Sequence, residues 1–249
     1  FVQKLICQSM LPSQQDTTLF KNHELIISGV ADYQSTSIGK DITKSFIYGG
    51  FITDEMKGQT SSKQQIINRF GFDINSELQY KNHRFNMFKD STKGFLLKYG
   101  IYNYSAVEYS EDVFDLLFYG NSAFIGDTAV LMGSRFDSYT FQKFGIGWFD
   151  KHSKSSFTLN AIGVHNMLYG RLDEASLYQS SSIDSIDLSL IAQYKQSNSN
   201  TFSGFGLAMD IDYRFAMPKN KDEKIYFQLL MRNLGVICMP KVRSYSINS

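Results

Sequence analysis

The chain of 249 residues carries 25 Lys and Arg against 24 Asp and Glu, a formal charge of +1. That balance, with no basic stripe anywhere, leaves no electrostatic case for nucleic acid as a partner. No run of about 18 apolar residues occurs, so no transmembrane helix is written into it. Aromatic content is high at 15%, and only three prolines (Pro12, Pro218 and Pro240) would deprive a β-ladder of an N–H donor.

At the N-terminus, FVQKLIC at 1–7 reads either as the tail of a hydrophobic signal region or as a first strand. Residues 1–20 as a whole are expected to be residual signal, or a plug or periplasmic stretch. Strands are expected to begin near residues 24, 45, 69, 94, 129, 139, 156, 185, 203, 224 and 241. Longer connections are expected near 54–68 and 169–182, and the first of these is the one place where a short helix is expected.

Three segments set the architecture by strict alternation. Over 70–80 one face reads Phe70, Phe72, Ile74, Ser76, Leu78 and Tyr80, and the other carries Arg69, Asp73 and Glu77. Over 204–215 Phe205, Leu207, Met209, Ile211, Tyr213 and Phe215 oppose Asp210, Asp212 and Arg214. Over 186–195 Ile186, Leu188, Leu190, Ala192 and Tyr194 oppose Asp187, Ser189, Ile191, Gln193 and Lys195. Successive side chains of a strand point to opposite faces, so each segment has an apolar face and a polar or small one. Globular strands average about 5–6 residues, whereas tilted membrane-spanning strands need about 9–11. These segments match the longer class, with aromatics near the ends of their apolar faces. The mean hydropathy of −0.24 is what such mixing produces. The competing architecture is a soluble β-sandwich whose apolar faces meet in a core.

Polar, turn-rich links at 150–155, 196–200 and 218–223 are expected to close hairpins. No linker or composition break divides the chain, so 1–249 reads as one domain. The expected fold is an all-β, antiparallel transmembrane β-barrel of roughly 10–14 strands.

Little chemistry is visible in the residue patterns. His83 and His152 sit in turn-like contexts, His23 sits in NHE before a strand, and His165 continues the apolar face of a strand as its interfacial end. None is spaced from another ligand as a metal site requires. No Gly-x-Ser-x-Gly elbow occurs, and Gly145, Gly147, Gly204 and Gly206 read as small residues where a wall curves. Cys7 and Cys238 read as isolated thiols rather than a disulfide. Neither a catalytic residue, nor a metal ligand, nor a cofactor site is assigned. The candidate functional residues are the charged ones on the polar faces: Arg69, Asp73, Glu77, Asp210, Asp212 and Arg214. In a barrel they line the lumen, where opposite charges on neighbouring strands pair and fill it.

Several phrases carry a resemblance: GGFITDEMK at 49–57, NRFG at 68–71, DVFDLLFYGN at 112–121, FGIGW at 144–148 and NLGVI at 233–237. In this order the chain resembles a family of Bacteroidota outer-membrane proteins of undefined function. Their layout is similar to the long-chain fatty-acid transporter type of barrel. The resemblance implies a barrel in the outer membrane, with no known cofactor and no catalytic residue to carry over. Members of that family usually continue past the NLGVI-type segment with further strands, and outer-membrane barrels commonly end on an aromatic residue. Two expectations follow, that the chain is the N-terminal part of a longer barrel or that it closes with fewer strands, and the first is preferred.

The functional expectation is a non-enzymatic accessory or scaffold subunit of an outer-membrane complex with a charged, plugged lumen. Its surroundings would be outer-membrane lipid and lipopolysaccharide, with other envelope proteins as partners. The alternative is a transport barrel for small hydrophobic or amphipathic molecules. That alternative wants apolar inward positions, and the obvious ones are Ile191, Tyr226 and Leu230.

Overall fold

The computed structural model describes residues 22–197, 201–218 and 224–248. Segment 1–20, Cys7, and most of the expected turns at 196–200 and 218–223 lie outside the described residues. Ten antiparallel strands occur within them: β1 (His23–Ser35), β2 (Ile67–Asn82), β3 (Lys93–Ser110), β4 (Thr128–Val130), β5 (Arg135–Asp150), β6 (Ser156–Gln179), β7 (Ile186–Ser197), β8 (Gly204–Pro218), β9 (Lys224–Cys238) and β10 (Val242–Asn248). Three short helices join them: α1 (Lys40–Tyr48), α2 (Asp54–Ser61) and α3 (Glu111–Tyr119). No helix among the described residues is long and apolar enough to cross a membrane.

All the strands belong to one sheet, running β1-β2-β3-β5-β6 with each neighbour antiparallel. Beyond β6 the sheet divides. The N-terminal half of this 24-residue strand pairs with β8, from Ser156↔Asp212 to Val164↔Gly204. Its C-terminal half pairs with β7, from Leu168↔Gln196 to Gln179↔Ile186. β7 and β8 therefore lie end to end along one track, and β9 and β10 form the next track in the same way. They do not pair with each other, as the hairpin expected at 196–200 would require. Just before β8, the Ser203 N–H donates to the Val164 carbonyl at 2.7 Å and the Ser203 hydroxyl to the His165 carbonyl at 2.7 Å.

Three further expectations are corrected. The strand foreseen near residue 45 is α1, which carries Asp41 in its first turn and ends at Gly49 with φ 75°. The connection foreseen at 169–182 does not exist, because β6 runs unbroken to Gln179. α3 was not foreseen at all. The short helix expected within 54–68 is α2, where the Thr53 hydroxyl accepts the Met56 N–H at 3.3 Å.

The sheet is all-β and antiparallel as expected, but it is not closed. β1 borders one side and β9 and β10 the other, without pairing to each other. It does coil strongly. Ladder irregularities at Thr140/Phe141, Leu172/Glu174 and Met209/Ile211 supply local bends of the kind that bulges produce.

Register defines the two faces. One cross-strand row reads Ile27, Leu78, Tyr99, Phe144, Ala161, Leu207 and Val236; the next reads Leu25, Tyr80, Leu97, Ile146, Leu159, Met209 and Leu234. This apolar face is the exposed one: Leu207 is 61% exposed and Leu159 58%. The opposite face is the buried one, and besides Leu96, Phe149, Ile162 and Val164 it holds Glu77, Lys98, Lys143 and Asp210. The polarity of a water-soluble domain is thus reversed.

Candidate functional site

The buried face is organised around Asp210, in the middle of β8. One carboxylate oxygen accepts the Lys143 ammonium at 2.9 Å and the Thr158 hydroxyl at 3.4 Å; the other accepts the Asn233 backbone N–H at 2.9 Å. Lys143 also donates to the Asn233 side-chain oxygen at 2.8 Å, and its charge lies 4.8 Å from the centre of the Tyr102 ring. Tyr102 stacks on Phe141 at 5.0 Å and donates its hydroxyl to Glu77 at 2.6 Å. Lys98 approaches Asp210 at 3.8 Å. The cluster therefore draws on β2, β3, β5, β6, β8 and β9.

Its geometry requires the coil of the sheet. β3 and β8 are three strand spacings apart, about 14 Å on a flat sheet at about 4.8 Å each. Lys98 and Asp210 meet nonetheless, so the sheet wraps around its polar face. Glycines permit the close approach. Gly145 and Gly147 face inward on β5, and a methyl on Gly147 would lie 2.7 Å from Thr158 Cα and collide with the Phe157 carbonyl. Gly100 leaves room for the Tyr102 ring, 2.7 Å from where its Cβ would stand.

A bulge aims the acceptors. Asn233 has φ 56°, a left-handed conformation that Asn tolerates better than most residues. β9 there spends Arg232 and Asn233 opposite the single residue Asp210, and Asn233 offers it an N–H while its side chain turns to Lys143. Two anions (Glu77, Asp210) thus meet two cations (Lys98, Lys143), all nearly inaccessible to water. Such a set is tolerated in a low-dielectric interior only when its charges are paired and hydrogen-bonded.

The candidate residues from the sequence do not form one site. Glu77 and Asp210 belong to the central cluster. Arg69 belongs to a second group at the helix-bearing end, pairing with Glu108 at 2.9 Å, and Glu108 also meets Arg135, which binds Asp137 at 2.7 Å. Arg69, Glu108, Arg135 and Asp137 line a cleft at this end that Asp73 also borders, and Asp73 accepts a hydrogen bond from Asn75 at 3.4 Å. Asp212 and Arg214 pair with each other at 2.7 Å, below the cluster, and Gln228 donates to Asp212 at 2.8 Å. Lys98, Tyr102, Lys143, Thr158, Asn160 and Asn233 were not foreseen.

Of the histidines, His165 lies in the middle of β6 and not at a strand end. It is the extra residue where the β5–β6 register shifts, with Nδ1 3.1 Å from the Thr201 carbonyl oxygen. His83, in the link after β2, lies 3.4 Å from Glu24, and burial lowers its pKa against the opposing pull of that carboxylate. Cys238 is an exposed thiol at the end of β9. A second concavity, an apolar cleft of about 900 Å³, opens at the helix-bearing end between Val107, Val113, Phe136, Leu172, Tyr194 and Tyr245.

Comparison with known proteins found no matching family model, no matching curated protein and no matching solved structure.

Proposed function

We propose that this chain forms the wall of an outer-membrane β-barrel with a sealed lumen, acting as an accessory or scaffold subunit rather than an open pore. The observation that carries the reading is the buried neutral cluster of Glu77, Lys98, Lys143 and Asp210 behind a sheet face of exposed Leu, Ile and Phe. An apolar face turned outward suits lipid, and a polar face turned inward suits a lumen. Here the inward charges bind one another instead of lining water. The motif resemblance to Bacteroidota outer-membrane proteins points to the same compartment.

The strand connections suggest an orientation. β1–β2 and β3–β5 are joined at one end by long links carrying α1, α2 and α3, while β5–β6 at the other end turns through 151–155. Outer-membrane barrels carry long loops outside and short turns in the periplasm, so the helices would face the exterior. There Phe46, Tyr48, Phe51 and Leu117 are exposed and offer contact to other envelope proteins.

Planar-bilayer recording on the purified protein tests the sealed lumen. A silent membrane is expected, and steady single-channel currents from the wild type would overturn the reading. A second reading, transport of small hydrophobic or amphipathic molecules, draws on the apolar cleft at the helix-bearing end. Protein-dependent, saturable uptake of a fluorescent amphiphile into vesicles would favour it.

A further inference from the structure

The sheet has two open edges, and they differ in charge. Among the described residues, β1 on one side and the β9/β10 track on the other each have a flank of backbone groups with no partner strand. Such edges invite pairing with another strand in water and are not viable in lipid. The β1 edge, 23–35, carries Glu24 and Asp32 and no lysine or arginine. The far edge, 224–248, carries Lys224, Arg232, Lys241 and Arg243 and no carboxylate.

Much of that charge is unanswered within the chain. Glu24 faces Lys81 at 3.7 Å, but Asp32 stands opposite Asp73 in the β1–β2 ladder, a like-charged pair, and accepts only the Gln34 amide at 2.8 Å. Arg232 and Arg243 are exposed and form no ion pair among the described residues.

Number and direction narrow the choice of partner. Chain direction reverses at each of the six steps from β1 to the β9/β10 track, so the two open edges run parallel. Seven tracks are fewer than the roughly eight strands of the smallest outer-membrane barrels, so the sheet is too narrow to meet its own far edge. Two copies bring fourteen tracks and can join in two ways. A two-fold axis across the wall sets β1 against β1 and the basic edge against itself. Both seams then repel, and the two helix-bearing ends point in opposite directions. A two-fold axis along the barrel sets acid against base at both seams and keeps all the helices at one end.

We propose that a second copy of this chain completes the wall, with β1 of each copy lying parallel to the β9/β10 track of the other. The inference rests on the reading of the sheet as a barrel wall and names what closes it.

The test uses the full-length chain expressed in cells, with photoreactive p-benzoylphenylalanine replacing Ile27, which stands 76% exposed on β1. Irradiation is expected to give an adduct of twice the chain mass, joining differently tagged copies, with its cross-linked peptides from 224–248. Asp32→Lys copies alone should lose most of that adduct, and so should copies carrying Lys241→Glu with Arg243→Glu. Expressed together the two should regain it, since only the mixed pair sets opposite charges at both seams. Heat-modifiable gel mobility checks that each variant folds. Adducts confined to one chain, adducts to a different protein, or no adduct from the wild-type edges would overturn the proposal. A silent bilayer without the two-copy adduct would keep the sealed wall and remove the second copy. A two-copy adduct from protein that stays soluble without detergent would keep the pairing and remove the membrane.

Discussion

Lys143 and Asp210 meet across β5 and β8 with 1% and 5% of their side chains exposed, and what each is worth depends on the other. Removing one partner strands the remaining charge, so Lys143→Met alone should destabilise by about 3–5 kcal/mol in urea unfolding from detergent. Lys143→Met combined with Asp210→Leu should recover most of that loss. A single variant within about 0.5 kcal/mol of wild type would place the pair in solvent rather than in a low dielectric. Gly147 allows a sharper steric test. Gly147→Ala drives a methyl into the backbone of β6 and should abolish the folded, heat-modifiable band on a gel, whereas Gly170→Ala, with nothing within 4 Å, should leave it unchanged. Gly147 was legible in the sequence as a small residue inside an alternating strand, whereas Gly170 fell in an expected connection. The lysines were not legible. Strict alternation marks 70–80 and 204–215, but in β3 and β5 it is broken by Leu96 and Phe141 facing inward and Gln142 outward. The period-two signal that revealed Glu77 and Asp210 is therefore blurred where Lys98 and Lys143 stand. Asn233 was hidden for another reason: a bulge changes the face of every residue beyond it, and no motif announces one.

α3 shows the complementary failure and its remedy. Its signals were present: two acids at the N-terminus, Val113, Phe114, Leu117 and Phe118 at helical spacing, and Gly120 as the stop. The period-two pattern on either side masks them in the sequence. The helix is anchored where the Asp112 carboxylate accepts the Val130 N–H at 2.6 Å and the Ser110 hydroxyl donates to the Val130 carbonyl at 2.6 Å. Asp115 on the same helix has a side-chain oxygen that is buried without a partner, and burial, then Glu111 and Asp112, raise its pKa. A raised folded-state pKa contributes stability that is present below the unfolded value of about 3.9 and lost as pH rises through the folded value. Hydrogen-exchange protection factors in α3, taken relative to intrinsic exchange at each pH, should therefore be higher at mildly acidic pH than at neutrality. Asp115→Asn should flatten that dependence, and an Asn variant with the same pH profile would remove Asp115 as its cause.

For the molecule as a whole, the deciding question is what the apolar face touches. Leu207 stands 61% exposed within two continuous apolar rows. If those rows meet lipid, Leu207→Arg should cost about 2–4 kcal/mol for folding into vesicles when it lies near the midplane. Facing water, the same change would stay within about 0.5 kcal/mol. Equality of wild type and variant in a vesicle-folding titration would contradict the membrane placement. The alternation, the long strands over 70–80 and 204–215 and the antiparallel order were legible beforehand; the 24-residue length of β6 and the division of the sheet beyond it were not, since collinear strands and a hairpin share the same turn-rich link.

That division also bears on the order of assembly. Most ladders join strands that follow one another along the chain, so their loops close quickly and at little entropic cost. β6 is different, because β5 holds one flank while β7 and β8 must share the other. The β6–β7 ladder closes across the short link 180–185, whereas the β6–β8 ladder must close across 165–203, so β8 is expected to settle after β7. A pause in maturation is therefore expected with β1 to β7 paired and the lower flank of β6 bare. In pulse-labelling, amides of Ser156–Val164 that bond to β8 should gain protection last among those of β6.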